Sequence, residues 1–343
     1  MPTVSAGAAI PSNRDRKPPY HILVPMGWNI FNRKRKEPEA AQPDAAEQGP
    51  DALLPALSEG QAREFTRLVY QTLAERGREG VVSDGALHFN DGSSHGLHNL
   101  SIAAAEADPR IWPTLVREHV QAMEQIDAET DDIPADDTVF LRLRMREDLG
   151  DEEPAYQALE PFPGVLALVA VDRPTHVKEL SGDLSQVGSY ERAVELGRRN
   201  LAALPLPAVE RLLADDEDEG SAVHLLMSDD FFGASRAIIL EDILDRALGT
   251  SIPEAGVFLV VPNRHLLAVH IPTGSPSTVG ALSLLSNIGF GECKSAPGPI
   301  SPFVYHVSRD GSGAQVSSIQ DGKVVFSVIG QVEDAFRTLG LLE

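Results

Sequence analysis

The chain has 343 residues, and its 51 acidic against 29 basic side chains give a formal net charge of −22 at pH 7. With 42% hydrophobic and 23% charged residues, the composition is that of a globular protein and excludes a chain that is disordered throughout. So acidic a chain argues against a general nucleic-acid binder, whose surface must be basic, and the single cysteine, Cys293, excludes an internal disulfide and favours a reducing compartment.

Export and membrane signals are weak. The N-terminus holds no long apolar stretch of the signal-peptide type. Residues 266–291 form a stretch of 26 without Asp, Glu, Lys or Arg, but Pro272 and Pro276 interrupt it and argue against a membrane span. We therefore expect a soluble cytoplasmic protein.

The N-terminal region differs in composition from the rest. Residues 1–36 carry seven basic side chains against Asp15 alone, and residues 37–59 carry six acids and no bases. Such segments bury too little apolar area to offset the loss of chain entropy. We therefore predict a disordered tail over residues 1–57.

Within this tail, apolar residues 26–31 precede a basic cluster. Apolar side chains beside basic ones can bind an anionic membrane surface weakly. The residues concerned are Trp28, Ile30, Phe31, Arg33, Lys34, Arg35 and Lys36. A solvated tail, or a natural start at Met26 instead of Met1, explains the same pattern.

In the predicted N-terminal lobe, residues 58–204, the apolar spacing indicates helices and strands. A capping box of Ser58 and Gln61 opens the first helix, which Gly77 ends, and Asp108 opens the second. Further elements are short strands at 86–89 and 96–99, an alternating strand at 139–145, a strand covered on both faces at 165–171, and a helix at 189–203.

A C-terminal lobe is predicted over residues 221–343. The preceding residues, 205–220, include five consecutive acids and are expected to be an acidic linker or loop. The predicted strands are 222–227, 257–261, 266–271, 303–307 and 323–328. The predicted helices carry Leu240 and Leu244 (ended by Gly249), Ala281 and Ile288 (ended by Gly289), and Val332 and Phe336. Strands in hairpin-like pairs favour an α+β fold with mixed, largely antiparallel sheets, packed helices and two lobes.

One polar group that could carry chemistry lies in the hairpin after residue 86. His88, Asp91, His95 and His98 supply imidazoles and a carboxylate, which are ligands for zinc or other transition metals. However, no H-E-x-x-H pattern is present, and a solvent-facing hairpin rich in turn residues explains the group equally well. We predict no metal or cofactor.

A second polar group follows the predicted strand 222–227. Asp229 and Asp230 could bind a cation or act as a general base, but Ser228 or Asp229 could equally cap the next helix, which is the interpretation we favour. Phe231 and Phe232 would then anchor that helix to the core. Arg264 and His265, at a strand turn, are further candidates for binding.

Nucleophile and nucleotide motifs are absent from the sequence. There is no G-x-S-x-G elbow, no phosphate-binding G-x-x-x-x-G-K-[ST] loop and no G-x-G-x-x-G fingerprint. Lys294 could lower the pKa of Cys293, but no histidine is predictably placed beside the thiol.

Three blocks in the C-terminal half resemble the YtpQ-like bacterial proteins. They are residues 229–235 (DDFFGAS), 240–244 (LEDIL) and 257–267 (VFLVVPNRHLL), and a similar short motif falls at residues 97–100 (LHNL). The resemblance covers roughly residues 60–330 and excludes the basic tail. It implies a bacterial protein, and it implies no catalytic residue because that family has no established activity.

The sequence therefore favours a non-catalytic binding or protein-interaction module. Its acidity would suit a basic protein partner, since complementary charge accelerates encounter. One alternative is a metal-dependent hydrolase that uses His88, Asp91, His95 and His98. Another is a peripheral membrane protein attached through the basic N-terminal tail.

Overall fold

The structure is a computed structural model that describes residues 49–90, 94–127, 133–173, 176–274 and 276–342, together with the backbone of Tyr20–Val24. The helices are α1 (Glu59–Glu75), α2 (His98–Glu106), α3 (Trp112–Asp127), α4 (Tyr190–Ala203), α5 (Leu240–Leu248), α6 (Thr278–Ser295) and α7 (Gln331–Thr338).

The strands are numbered along the chain. They are β1 (Tyr20–Val24), β2 (Gly80–Ser83), β3 (Ala86–Phe89), β4 (Ser94–Gly96), β5 (Val139–Met145), β6 (Ala158–Phe162), β7 (Val165–Asp172), β8 (Val177–Glu179), β9 (Ala208–Leu213), β10 (Ala222–Met227), β11 (Val257–Asn263), β12 (Leu266–His270), β13 (Tyr305–Val307), β14 (Gly313–Gln315), β15 (Ser317–Gln320) and β16 (Lys323–Val328).

An N-terminal unit packs α1, α2 and α3 on the small sheet β2-β3-β4. The predicted capping box is confirmed, because Gln61 N donates to Ser58 Oγ at 3.3 Å and Ser58 N donates to Gln61 Oε1 at 2.9 Å. The core between these elements contains Phe65, Leu87, Trp112 and Met123. All residues of this core lie between 54 and 123, so the unit has a core of its own.

The folded region begins earlier than residue 58. Leu54 and Leu57 are 2% and 1% exposed within the N-terminal core, because the chain from residue 49 packs against α1. The predicted tail over residues 1–57 is therefore corrected at its C-terminal end. Tyr20–Val24 pairs antiparallel with β16, and residues 1–19 and 25–48 lie outside the described residues.

A second sheet, in the order β5-β7-β6 with β8 also paired to β7, follows in the chain. Strand β7 is buried over Val165–Val171, which confirms that it is covered on both faces. Helix α4 covers one face through Ala193, Leu196 and Leu201.

The third sheet has six strands in the order β14-β13-β11-β12-β10-β9, and every pair in it is antiparallel. Along β11, Val257, Leu259 and Val261 face one core, whereas Phe258 and Val260 face the other. The first core also receives α5 and the sheet of β5–β7, and the second receives α6 and α7.

The α+β class with largely antiparallel sheets is confirmed. The predicted boundary at 205–220 does not separate two cores, because Leu143 and Phe162 share one core with Leu244 and Val257. Within residues 205–220, Ala208–Leu213 forms the edge strand β9, which pairs with β10. The acidic residues of the segment follow this strand and form a turn.

Two further element predictions are wrong in detail. The strand predicted at 96–99 ends at Gly96, since His98 already begins α2. Helix α6 continues through Gly289 to Ser295, because Gly289 provides close packing against the Pro302 carbonyl and does not end the helix. No helix in the described part of the chain is long and apolar enough to cross a membrane.

Candidate functional site

A cleft of about 410 Å³ lies where the N-terminal unit meets the second sheet and the β11–β12 turn. Its described lining contains two arginines, three histidines and no Asp or Glu. The lining residues are Ser94, His95, Gly96, Asn99, His119, Ala122, Met123, Ile126, Arg142, His176, Val177, Phe231 and Arg264. In a chain of net charge −22, this lining is unusually rich in positive charge and hydrogen-bond donors.

Another cavity, of about 720 Å³, lies between β6, α5 and the loop after β13. It is larger, but its charged rim mixes Arg198 and Arg309 with Glu160, Glu241 and Asp310. None of the residues predicted from the sequence as functional lines it. The smaller cleft is therefore the better candidate site.

Arg264 enters the cleft from the turn between β11 and β12. Its guanidinium lies over the ring of Phe231, 4.5 Å from the ring centroid, and its Nε donates to Nε2 of His265 at 2.8 Å. A cation over an aromatic face is attracted by the ring quadrupole. Stacking on one side and a hydrogen bond at Nε therefore hold the orientation of the guanidinium.

His265 accepts a hydrogen bond from Arg264. Its Nδ1 lies 3.1 Å from the carbonyl oxygen of Ser228 and 2.9 Å from that of Asp230, so Nδ1 carries the proton and donates to them. Nε2 is then free of a proton and accepts from Arg264. Burial, followed by the charge of Arg264, lowers the pKa of His265, which keeps the ring neutral at pH 7.

Two close backbone approaches fix the turn that carries Arg264. A Cβ added to Gly233 would lie 2.6 Å from the carbonyl oxygen of His265, and one added to Gly298 would lie 2.7 Å from Cδ of Arg264. Arg264 N also donates to the Gly298 carbonyl at 2.9 Å. Glycine at both positions lets the segments meet closely enough to hold the turn.

Arg142 reaches the cleft from the middle of β5. It forms an ion pair with Glu179 at 3.2 Å, but Glu179 also pairs with Arg144 at 3.0 Å. One carboxylate thus serves two guanidinium groups. Both arginines line the cleft, and burial, followed by the charge of Arg142, lowers the pKa of Arg264.

Two of the three histidines of the cleft come from the N-terminal unit, and the third, His176, precedes β8. His95 lies on β4 against the edge of Phe89, with ring centroids 5.9 Å apart. His119 lies on α3, and its Nε2 is buried with no hydrogen-bond partner among the described residues. Burial, followed by the nearby His95, lowers the pKa of His119. His119 is therefore neutral at pH 7.

The predicted histidine cluster is not assembled. Across the β3–β4 pair, His95 lies opposite Leu87 and His88 lies opposite Ser94, so the two histidine side chains occupy opposite faces of the small sheet. His98 lies at the start of α2 with a buried Nε2, and Asp91 lies outside the described residues. The described residues contain no group of three or more His, Cys, Asp or Glu that could hold a metal ion.

The predicted cap by Ser228 or Asp229 is wrong. Residues between β10 and α5 form turns and a short 3₁₀ helix, so α5 begins at Leu240 without a side-chain cap. Asp230 instead accepts from Phe232 N at 2.8 Å and pairs with the buried Arg236. Asp229 is exposed and does not line the cleft.

The two phenylalanines after Asp230 have different roles. Phe232 is buried and stacks on Phe140 with ring centroids 4.3 Å apart, as the predicted core anchor. Phe231 is half-buried and supports Arg264 instead.

Cys293 is not an activated thiol. Burial, the main cause, raises its pKa to about 11, and Lys294 does not lower it as the sequence suggested. A thiol with this pKa is almost wholly protonated at pH 7 and is therefore a weak nucleophile.

The sequence predicts only part of this site. It singles out His95, Arg264 and His265 but not Arg142, His119 or His176. His119 does carry a signal, because it falls on the apolar stripe of α3 with Trp112, Val116 and Met123. The residues proposed for membrane contact, 28–36, lie outside the described residues.

No family model, no curated protein and no solved structure matches the chain. The resemblance to the YtpQ-like proteins therefore stays a prediction, and the site is interpreted from its own residues.

Proposed function

We propose that this protein is a non-catalytic binding module of the cytoplasm and that the cleft between the N-terminal unit and the β11–β12 turn is its binding site. One observation carries the proposal: Arg264 is held by His265 and Phe231 in the lining of a cleft that contains no described carboxylate. Fixed donors beside apolar walls are the usual features of a ligand pocket.

The same geometry argues against His265 and Cys293 as the reactive groups of a hydrolase. A general base must have a free nitrogen or carboxylate oxygen within hydrogen-bond distance of the reacting proton. Both nitrogens of His265 are engaged, and Cys293 is protonated at pH 7. His88 lies on the face of its sheet opposite to His95 and is not available to complete a metal site there.

A basic protein partner would bind elsewhere on the acidic surface. Strand β9 is an edge strand with exposed Val209, and Leu206 and Met227 are exposed beside it. The acidic turn of residues 215–219 follows directly. Edge strands pair readily with extended peptides, and the acidic turn would favour a lysine-rich one.

A matched pair of variants tests the cleft as the binding site. Ala122→Phe fills the cleft from α3, whereas Ala74→Phe adds the same ring at an exposed position of α1. Small molecules from a bacterial extract are captured on each folded variant, released and identified by mass spectrometry. We expect compounds held by the unchanged protein and by Ala74→Phe but not by Ala122→Phe, and recovered chemically unchanged.

Other outcomes decide against the proposal. Conversion of a captured compound to a product by the unchanged protein and by Ala74→Phe would indicate an enzyme. Equal capture by Ala122→Phe would place binding outside the cleft. About one zinc ion per chain, lost in a His95→Ala, His98→Ala double variant, would favour the metal-dependent hydrolase.

The acidic edge is tested separately with a labelled lysine-rich peptide in fluorescence anisotropy. Neutralising three acids, with Asp215→Asn, Asp216→Asn and Glu217→Gln together, should weaken binding and reduce its salt dependence. Unchanged binding would exclude this surface as the docking site.

A further inference from the structure

We propose that the cleft binds an organic anion that has one carboxylate or phosphate head and an apolar body about the size of an aromatic ring. The inference rests on the proposed binding function and adds the chemical class of the ligand. The head would lie against Arg264, and the body would lie along the apolar wall.

The head group of the proposed ligand is inferred from the hydrogen-bond donors of Arg264 that have no acceptor among the described residues. Its Nε is satisfied by His265 and one face is covered by Phe231, so Nη1 and Nη2 remain. No carboxylate in the described part of the chain lies within 4.0 Å of this guanidinium. Two parallel N–H groups on a planar fork match the oxygens of a carboxylate or a phosphate.

Most of the other described arginines either pair with a carboxylate or are exposed to solvent. Several pair with a carboxylate of their own, among them Arg67 with Glu64, Arg146 with Glu160, Arg192 with Asp136, Arg236 with Asp230 and Arg246 with Asp242. Arg110, Arg117, Arg198, Arg199 and Arg309 form no ion pair with a described carboxylate but are exposed, whereas Arg264 is half-buried. Arg264 is therefore half-buried and has no carboxylate partner in the described part of the chain.

Arg142 increases the positive charge of the cleft. Because Glu179 is shared between Arg142 and Arg144, this group of three retains a net positive charge. Arg142 and Arg264 both line the cleft. A bound anion would reduce the repulsion between these two like charges, and it would interact strongly because both guanidinium groups are partly withdrawn from water.

The apolar body of the proposed ligand is inferred from the apolar residues that line the cleft. Met123 and Ile126 on α3 face the cleft together with Val177 on β8 and the exposed part of Phe231. A volume of about 410 Å³ lies in the range of pockets that hold small organic ligands and exceeds what an oxyanion alone requires. His119 Nε2, buried without a partner among the described residues, offers a further polar contact beside this wall.

The test measures binding of simple probes by isothermal titration calorimetry at low salt. The probes are phenyl phosphate and benzoate, with phenol as the neutral analogue and inorganic phosphate as the head alone. Arg264→Met removes the fork and keeps an apolar stem, and Arg110→Met is the matched control because Arg110 is exposed and outside the cleft. Arg264→Lys keeps the charge without the fork.

We expect phenyl phosphate and benzoate to bind the unchanged protein and Arg110→Met equally. Loss of the charge-assisted pair should weaken binding about 10- to 100-fold in Arg264→Met. The affinity of Arg264→Lys for the anions should lie between those of the unchanged protein and Arg264→Met. If Arg264→Met does not fold, Arg264→Lys alone provides the test. Phenol should bind all variants alike, and inorganic phosphate should bind more weakly than phenyl phosphate.

Two results would overturn the inference: equal affinity of the anions for the unchanged protein and for Arg264→Lys and Arg264→Met, or no binding of either anion at millimolar concentration. Binding of phenol alone, abolished by Ala122→Phe, would reject the anionic class and leave the binding function intact. Loss of all small-molecule capture would instead reject the binding function itself.

Discussion

Asp230 forms an ion pair with the guanidinium of Arg236, whose side chain is only 1% exposed. Nη1 donates to Oδ1 at 3.1 Å and Nη2 to Oδ2 at 2.8 Å, and Nη2 also donates to the Pro205 carbonyl at 3.0 Å. The pair thus connects the end of α4 to the segment after β10. Because the Asp230 carbonyl also accepts from His265, the same residue supports the cleft.

Asp230→Ala should therefore destabilise the protein strongly. Removal of one partner leaves the Arg236 charge buried without compensation, which costs about 3 kcal/mol or more in the free energy of unfolding. The matched control is Asp242→Ala, since Asp242 pairs with Arg246 at 3.0 Å on a half-exposed surface. Its cost should be about 1 kcal/mol or less. Urea denaturation of both variants measures the difference, and equal costs would contradict the structural role of Asp230.

The core face of α5 gives a second stability prediction. Leu240 and Leu244 are 5% and 0% exposed and pack in the core below the six-stranded sheet. Each truncation to Ala should cost about 2–5 kcal/mol, with the larger loss at Leu244 because its site is fully enclosed. Thermal unfolding within error of the unchanged protein for both variants would show that the helix faces another way.

Much of the fold could be predicted because it depends on local patterns. Helices α1, α3 and α4 carry a clear period of 3.6, strand β5 alternates with a period of 2, and strand β7 is an unbroken apolar run. Strand β9 could not be predicted, since its residues are mostly exposed and backbone pairing with β10 holds it in place. Helix α2 is not predicted, since it has no side-chain cap and its buried residues, Leu100, Ser101, Ile102 and Ala104, do not form a single apolar stripe.

The candidate site was only partly predictable, for a related reason. Arg264 and His265 lie in one turn, so a sequence pattern can point to both. Arg142 and His119 reach the same cleft from β5 and α3, which are distant in sequence. A sequence shows that a polar residue interrupts an apolar pattern, but it does not show which distant segment that residue meets.

Buried neutral histidines predict how stability depends on pH. His270 is fully buried, its Nδ1 donates to the Ala222 carbonyl at 2.8 Å, and burial, the largest effect, lowers its pKa. The unfolded chain therefore binds a proton more readily than the folded chain below about pH 6.5. Stability should fall as the pH is lowered from 7 toward the folded pKa, by at most about 1.4 kcal/mol per pH unit for this group.

His270→Gln tests this dependence, because glutamine can still donate to the Ala222 carbonyl but does not titrate. Between pH 7 and 5 the variant should lose less stability than the unchanged protein, as measured by urea denaturation at each pH. The other buried histidines, among them His306 and His119, remain in both proteins and cancel in the comparison. Identical pH profiles would show that His270 does not contribute.

Two glycines of α6, two positions apart, should respond in opposite ways to alanine. A Cβ on Gly289 would lie 2.3 Å from the Pro302 carbonyl oxygen, which is rigid backbone, whereas a Cβ on Gly291 would meet nothing within 4 Å. Gly289→Ala must therefore displace the chain at Pro302 or the helix, at a cost of about 1–3 kcal/mol. Gly291→Ala should instead stabilise by about 0.5–1 kcal/mol, because alanine loses less entropy in a helix. Denaturation of the two variants side by side measures the sign of each change, and stabilisation by both would mean that Gly289 does not pack against the Pro302 backbone.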